Sequence, residues 1–302
     1  MVLITGITGF VGQNLSAYLS DAYRIKGISR VSSDANLSYA DFFEGNSSCD
    51  AIVHLAGKAH DLKKTSNDSD YYEANFELTQ KLYDQFLQSD AQTFIYISSV
   101  KAVADTVTGV LTEDAVANPI TVYGKSKKMA EDYILAHLPS DKKVYILRPC
   151  MIHGPGNKGN LNLLYSLVSK GVPYPLGAYT NNRSFLSIEN LCFVIDHLLK
   201  KDIPSAVFNV ADDVPLSTNE VIALVSESLG KKAKIMALPK AIIHVVAQVG
   251  DILPLPINSE KLQKLTENYV VSTAKIKSAL GISLPVSSRA GLLNTFNSFR
   301  NS

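Results

Sequence analysis

Inside the run Tyr123-Gly124-Lys125-Ser126-Lys127, a phenol and an ammonium stand four residues apart. On a helix that spacing puts both side chains on one face. A free tyrosine titrates at about pH 10, too high for easy proton exchange at neutrality. A neighbouring ammonium favours the phenolate and draws that pKa toward the range of a general acid or base. The pair is therefore expected to pass a proton to or from a substrate oxygen. Tyr and Lys at this spacing also occur on solvated helices, so the elements that position the pair must decide its meaning.

Those elements begin at the other end of the chain. Val2-Leu3-Ile4-Thr5 is a short apolar, β-branched run that reads as a buried parallel strand. Gly6-Ile7-Thr8-Gly9-Phe10-Val11-Gly12 follows, then an amphipathic stretch from Asn14 to Leu19. Strand, glycine-rich turn and helix in that order form a dinucleotide-binding site. The first glycine allows the tight turn, the second lets the backbone approach a pyrophosphate, and the third lets the helix pack on the strand. The pyrophosphate would meet the positive end of the helix. Gly6, Thr8, Gly9, Phe10, Val11 and Gly12 are thus candidate cofactor-binding residues, in the spacing Gly-x-x-Gly-x-x-Gly.

Joined to Tyr123 and Lys127, that spacing resembles the extended short-chain dehydrogenase/reductase (NAD-dependent epimerase/dehydratase) family, and the likeness covers most of the chain. Asp50-Ala51-Ile52-Val53-His54-Leu55-Ala56-Gly57 resembles the family's strand whose end abuts the cofactor, which makes Leu55, Ala56 and Gly57 cofactor contacts. Asn75 lies where family members carry a structural asparagine. Phe94-Ile95-Tyr96-Ile97-Ser98-Ser99 resembles the next strand, and Ser99 matches the catalytic serine or threonine. Asn118-Pro119 precedes Tyr123 and Glu131 follows Lys127, while Leu147-Arg148-Pro149 and His153-Gly154-Pro155-Gly156 resemble the exit from a later strand. The resemblance implies hydride transfer between a nicotinamide and a carbon bearing a hydroxyl or ketone. Tyr123 would exchange the oxygen's proton, Lys127 would lower the Tyr123 pKa and hold the nicotinamide ribose, and Ser99 would orient the substrate oxygen. Ser98 reads as satisfying the strand-end backbone. A homodimer joined through helices near 75–87 and 123–135 is also implied.

Substrate and cofactor follow from further matches. Arg183-Ser184-Phe185-Leu186-Ser187-Ile188-Glu189-Asn190-Leu191 resembles the nucleotide-sugar branch, in which an arginine here pairs with the substrate diphosphate. Val53 to His60, with Ser98-Ser99-Val100-Lys101, looks closest to bacterial enzymes of surface-polysaccharide synthesis. Those act at C4 of UDP-linked amino sugars, as 4-epimerases or as reductases of 4-keto-6-deoxy intermediates. In 4,6-dehydratases of the family an Asp-Glu pair follows the catalytic serine or threonine; Val100 and Lys101 stand there instead, which argues against dehydration. No acid ends the strand Tyr23 to Arg30 to bind a ribose 2′-hydroxyl. Arg30, with Ser29 or Ser32, could meet a 2′-phosphate, so the cofactor, NAD(P), leans to NADP(H). Asp34 stands nearby, and Asp41 is the nearest adenine-contacting candidate.

Composition agrees with a soluble enzyme. The 302 residues, 46% hydrophobic and 19% charged, suffice for a sizeable core. A net charge of +1 gives no electrostatic case for nucleic acid or an anionic membrane. With a strand from Val2, no signal peptide is expected. Cys49, Cys150 and Cys192 lack metal spacing, so no metal site and a reduced, cytoplasmic setting are expected. The apolar run Ala241 to Val249 is too short to span a bilayer and reads as a buried or interfacial helix, with membrane contact as a lesser alternative. Strands alternating with helical patterns predict an α/β fold, a doubly wound parallel Rossmann sheet over 1–152 with a returning segment at about 184–210. A smaller α+β substrate lobe would take 153–183 and 211–302, with the substrate in the cleft between. Three functions remain open: a nucleotide-sugar 4-epimerase or ketoreductase, a reductase of an apolar ketone of flavonoid- or sterol-like kind, and a non-catalytic dinucleotide sensor.

Overall fold

The computed structural model of the chain describes residues 1–31, 33, 36–45, 48–59, 67–157, 159–253 and 257–300. Ser32, Asp34 and His60, named above, lie outside the described residues. In the first half run β1 (Val2–Thr5), α1 (Phe10–Leu19), β2 (Ile25–Ser29), β3 (Asn36–Ser38), α2 (Tyr39–Phe43) and β4 (Ala51–His54). Next come α3 (Asp68–Tyr72), a π-helical turn (Glu73–Glu77), α4 (Leu78–Gln88), β5 (Thr93–Ile97), a 3-10 turn (Val100–Ala102) and β6 (Val110–Leu111). Then α5 (Val122–Ala136), β7 (Lys143–Pro149), β8 (Met151–His153), α6 (Asn160–Ser169), β9 (Phe185–Ser187), α7 (Ile188–Lys200) and β10 (Ala206–Val210) follow. The chain ends with α8 (Thr218–Ser228), α9 (Lys240–Ile252), α10 (Ser259–Thr266), β11 (Val270–Val271), α11 (Ala274–Leu280) and α12 (Ser288–Arg300).

Seven strands form one sheet in the order β10-β7-β5-β4-β1-β2-β3. Every neighbouring pair in it is parallel. Strand alternation divides the core in two. Val2 and Ile4 of β1, Val53 of β4, Ile95 of β5 and Leu147 of β7 face α1 and α7. Their neighbours Leu3, Ile52, Phe94 and Ile146 face α4 and α5. Each strand is apolar on both faces because helices cover both, as a parallel sheet requires. All crossovers place the C-terminal strand ends along one crest, and there ligands bind in such sheets.

The third core belongs to the smaller lobe, where α6, α8, α9, α10 and α12 pack around Leu176, Phe185, Val225 and Phe296. Ser217 caps α8 through a capping box with Glu220, the sequence pattern of a helix start. Two short parallel pairs, β8 with β9 and β11 with β6, tie this lobe to the large sheet. One expectation needs correction. The first helix starts at Phe10, four residues before Asn14, since Gly9 already serves as its N-cap. The run 241–249 lies within α9, but only Ile243 and Ala247 of that helix are buried. Among the described residues no helix is long and apolar enough to cross a membrane.

Candidate active site

Beyond Thr5 the chain turns at Gly6, whose φ of +67° suits glycine. A Cβ there would lie 2.9 Å from Ala56 N, so Gly6 also lets the end of β4 lie against the turn. Gly12 is tighter still: a Cβ would approach Gly6 O to 2.3 Å and Ile7 Cα to 2.5 Å. Turn and helix start are therefore one packed unit. Gly9 N donates to Gly6 O at 2.9 Å, and among the described residues no side chain caps the helix start by a hydrogen bond. The first-turn N–H groups from Phe10 to Gly12 have no intrahelical acceptor, and the helix dipole is positive there. Thr8 and Gly9 are exposed on the rim, with Phe10 and Val11 half-buried behind. The cradle fits a dinucleotide diphosphate.

The end of β4 is fixed from below by a buried relay. Leu55 N and Ala56 N donate to Thr5 Oγ1 at 3.1 and 3.0 Å. Thr5 Oγ1 lies 2.7 Å from His54 Nδ1, and His54 Nε2 lies 2.9 Å from Thr79 Oγ1. Thr79 Oγ1 in turn donates to Asn75 O at 2.7 Å. Because Thr5 already accepts two backbone bonds, its hydroxyl proton goes to Nδ1, which leaves the His54 proton on Nε2. Burial, and second the Lys127 charge, push the His54 pKa down to about 3, so the ring is neutral. Asn75 continues the chain of bonds: its Oδ1 accepts from Lys58 N and its Nδ2 donates to Ser126 Oγ.

On α5, Lys127 reaches the same point from above. Its Nζ donates to Ile97 O at 2.9 Å and lies 4.8 Å from the Tyr96 ring centroid. A Cβ on Gly57 would sit 2.7 Å from Asn75 Oδ1 and 3.1 Å from Lys127 Nζ. Gly57 is thus the joint between the β4 end and the ammonium. Burial lowers the Lys127 pKa to about 8, with the Glu131 carboxylate pulling it back up.

Tyr123 opens α5, one turn before Lys127. Thr121 caps that helix, and the Asp105 carboxylate accepts from Ile120 N and Thr121 N at 2.7 and 3.1 Å. Next to Tyr123, Gly124 packs so close to the 3-10 turn that a Cβ would be 2.4 Å from Lys101 O. That closeness brings Tyr123 onto Ser99, whose side chain hydrogen-bonds it. Burial raises the Tyr123 pKa, and the Ser99 bond pulls the other way. The sequence led us to expect a phenol depressed by Lys127. Instead the ammonium turns toward Ile97 O and Gly57, and desolvation governs the phenol.

Glu131, missed as a functional residue in the sequence, anchors this group. It is fully buried and takes a bidentate bond from Arg148, with Nη2 at 2.6 Å and Nε at 3.0 Å. Ser98 Oγ donates to it at 2.5 Å, so Ser98 serves packing of the strand end.

Arg183 lies two residues before β9, against the smaller lobe. Its guanidinium donates to Lys264 O and stands 3.6 Å from Glu267. Its backbone pairs with Leu216 and Tyr269. Asn181, almost wholly buried, pins this loop to Thr218 and to the carbonyls of Leu265 and Glu267. Lys101 spans the gap: its Nζ donates to Asp105 O at 2.7 Å and lies 4.4 Å from the Tyr269 ring centroid. The charges of Asp105, Glu267 and Arg183 all reach it. Both acids are already engaged, Asp105 by the α5 cap and Glu267 by Arg183.

Arg30 is exposed just past β2. Asp41 is tied into a capping box with Ser38 at the start of α2. All three cysteines are buried thiols with raised pKa values, Cys49 to about 11 and Cys192 to about 12. That state does not suit a nucleophile. Among the described residues no group of three or more His, Cys, Asp or Glu could hold a metal ion.

The model of the NAD dependent epimerase/dehydratase family matches residues 2–211. The chain is 34% identical to a UDP-glucose 4-epimerase of Vibrio cholerae, over 99% of this chain and 95% of that protein. It is 28% identical to an Escherichia coli O157:H7 N-acetyl-alpha-D-glucosaminyl-diphospho-ditrans,octacis-undecaprenol 4-epimerase, covering 91% and 84%. A Bacillus cereus UDP-glucuronic acid 4-epimerase solved in complex with NAD shares the fold, with a TM-score of 0.77 at 19% identity over 99% and 98% of the two chains. The chain belongs to the NAD dependent epimerase/dehydratase family.

Proposed function

We propose that this family member is a nucleotide-sugar 4-epimerase, acting on a UDP-linked sugar with bound NAD(P). The observation that carries the reading is the meeting of Tyr123 and Ser99 next to the Gly57–Lys127 joint. It brings a proton-transfer pair to the crest of the sheet where the glycine cradle opens. The names of the Vibrio cholerae and Escherichia coli relatives support C4 as the reacting carbon.

When bound, the dinucleotide supplies the acceptor and donor of the C4 hydride. The glycine turn would hold its diphosphate, Leu55 to Gly57 would line its inner side, and Lys127 would hold the nicotinamide ribose. Tyr123 removes the proton from the C4 hydroxyl as the C4 hydride leaves, and it returns the proton when a hydride reaches the other face of the ketone. Ser99 donates a hydrogen bond to the same oxygen. Burial that raises the Tyr123 pKa favours the protonated phenol, the form needed for the return step. Arg183 would pair with the substrate diphosphate by leaving its present Lys264 and Glu267 partners. Arg30, exposed where no acid closes β2, favours NADP(H) over NAD.

The test incubates the purified protein with UDP-glucose, UDP-N-acetylglucosamine and UDP-glucuronic acid and follows C4 inversion by proton NMR. Dinucleotide released by acid is identified in parallel. Inversion without net cofactor turnover is expected. Stoichiometric oxidation of added NADPH by a 4-ketosugar, without inversion, would make the protein a ketoreductase. Turnover of an apolar ketone alone would remove the sugar reading.

A further inference from the structure

The helix α9 has three faces where a core helix has two. Ile243 and Ala247 face inward, and Gly250 packs so tightly that a Cβ would lie 1.9 Å from Ile257 O. Lys240, His244, Gln248 and Asp251 share a second face by helical spacing. Ile242, Val245, Val246, Val249, Ile252 and Leu253 fall on the third, and they are 40–86% exposed. Such spacing, i, i+4, i+7 and i+11 from Ile242, is that of a buried stripe, yet no element of the described chain covers it.

Charge supplies a second observation. Residues 154–188 and 231–250 contain no Asp or Glu at all. They adjoin in space: Tyr174 N donates to Lys234 O and Met236 N to Tyr174 O, each at 2.8 Å, and Lys231 Nζ donates to Ser169 O at 2.9 Å. Lys170, Lys231, Lys232, Lys234 and Lys240 are all exposed on this unit, which leads directly into α9. A chain of net charge +1 therefore carries a group of exposed lysines on two adjoining segments that have no Asp or Glu of their own, continuous with an apolar stripe. The one acid of α9, Asp251, accepts from Ser259 N and Oγ at 2.9 and 2.6 Å at the start of α10.

We propose that this surface docks the protein on an anionic lipid bilayer, with α9 lying in the plane of the headgroups. At about 20 Å the helix is too short to span the hydrocarbon. An apolar stripe flanked by lysines is the composition that binds an interface. A second copy of the chain would cover the stripe but gives the exposed lysines beside it no role, whereas anionic headgroups match both features. The absence of an electrostatic case for membranes at the level of the whole chain is a property of the sum, which hides this local excess.

The chain contains no tryptophan, so V249W supplies a single reporter on the stripe. Its emission should shift to the blue and be quenched by brominated lipid in vesicles of phosphatidylcholine and phosphatidylglycerol, and stay unchanged with phosphatidylcholine alone. In co-sedimentation with the same vesicles, K231S and K232S should each lower partitioning about fivefold. I242S/V246S/V249S should abolish it, while thermal midpoint and turnover of a water-soluble sugar nucleotide stay as in the parent. No binding to anionic vesicles by the parent overturns the proposal. So does a blue shift without vesicles that grows with protein concentration, which would assign the face to a second copy.

Discussion

His54 offers the most quantitative test of the site's foundations. It lies fully buried beneath Leu55, Ala56 and Gly57, with its pKa lowered from 6.5 to about 3, first by burial and second by Lys127. Above the unfolded value both states hold a neutral ring. As pH falls below it, the unfolded chain takes up a proton that the folded chain refuses, so stability drops until the folded value is reached. Between about pH 7.5 and pH 5 this one residue should cost about 2 kcal/mol of stability. The loss has a structural route: a protonated ring cannot accept the Thr5 hydroxyl at Nδ1, and Thr5 Oγ1 is the acceptor for Leu55 N and Ala56 N. His54→Gln removes the titration. Urea unfolding of parent and variant at both pH values, taken as a difference of differences, cancels the carboxylates they share. A variant that loses as much stability as the parent over that interval would refute the assignment of a neutral, buried His54.

Three further outcomes follow from the same geometry. Tyr123→Phe should lower turnover by about a hundredfold or more while leaving dinucleotide retention near normal, measured by NMR inversion rates and acid-released cofactor. Gly57→Ala forces a methyl group to within 2.7 Å of Asn75 Oδ1 and 3.1 Å of Lys127 Nζ. Displacement of the ammonium should cost activity on the order of a hundredfold, and unchanged turnover would show that Lys127 does not need that position. Glu131→Gln strands the buried Arg148 guanidinium and should cost about 3–5 kcal/mol in urea unfolding. The double variant Glu131→Leu with Arg148→Met should recover most of that stability, because neither charge is then left alone.

The parts of this molecule that were legible in the sequence are those whose reason is local. Gly6 and Gly12 announce themselves because turn conformation and helix packing leave no room for a Cβ, and both demands arise within seven residues. The sheet was legible because Leu3 and Ile4 must face opposite helical layers, which makes each strand apolar throughout. What escaped depends on partners far along the chain. Glu131 meets Arg148 and Ser98, 17 and 33 residues away, and no spacing rule links them. The loop that holds Arg183 is fastened by Asn181 to Leu265 and Glu267, from a segment more than eighty residues on. The Tyr123 pKa was misjudged for a related reason: a neighbouring charge can be read from i, i+4 spacing, whereas burial and the direction of Lys127 Nζ cannot. For α9 the sequence leaves a buried and an interfacial helix both open, because hydrophobicity marks a surface that avoids water without saying what covers it.

These distant contacts have a common effect on the crest of the sheet. Thr5 at the end of β1 holds the exit of β4, His54 and Thr79 carry that restraint to Asn75, and Asn75 grips Ser126 on α5. From α5, Lys127 returns to Ile97 at the end of β5, while Glu131 takes hold of Ser98 beside it and of Arg148 on β7. Four adjacent strand ends are thereby bound through α5 and the neighbouring π-helical turn and α4, almost entirely by buried hydrogen bonds. Buried bonds of this kind resist rearrangement because each broken partner is left without solvent to replace it. The spacing between the glycine cradle, Gly57, Lys127 and the Ser99–Tyr123 pair is therefore a property of the folded chain before any ligand arrives. Arg183 belongs to a different class. Its bonds to Lys264 O and Glu267 lie in the other lobe, partly open to solvent, and are not part of the buried network that joins the strand ends.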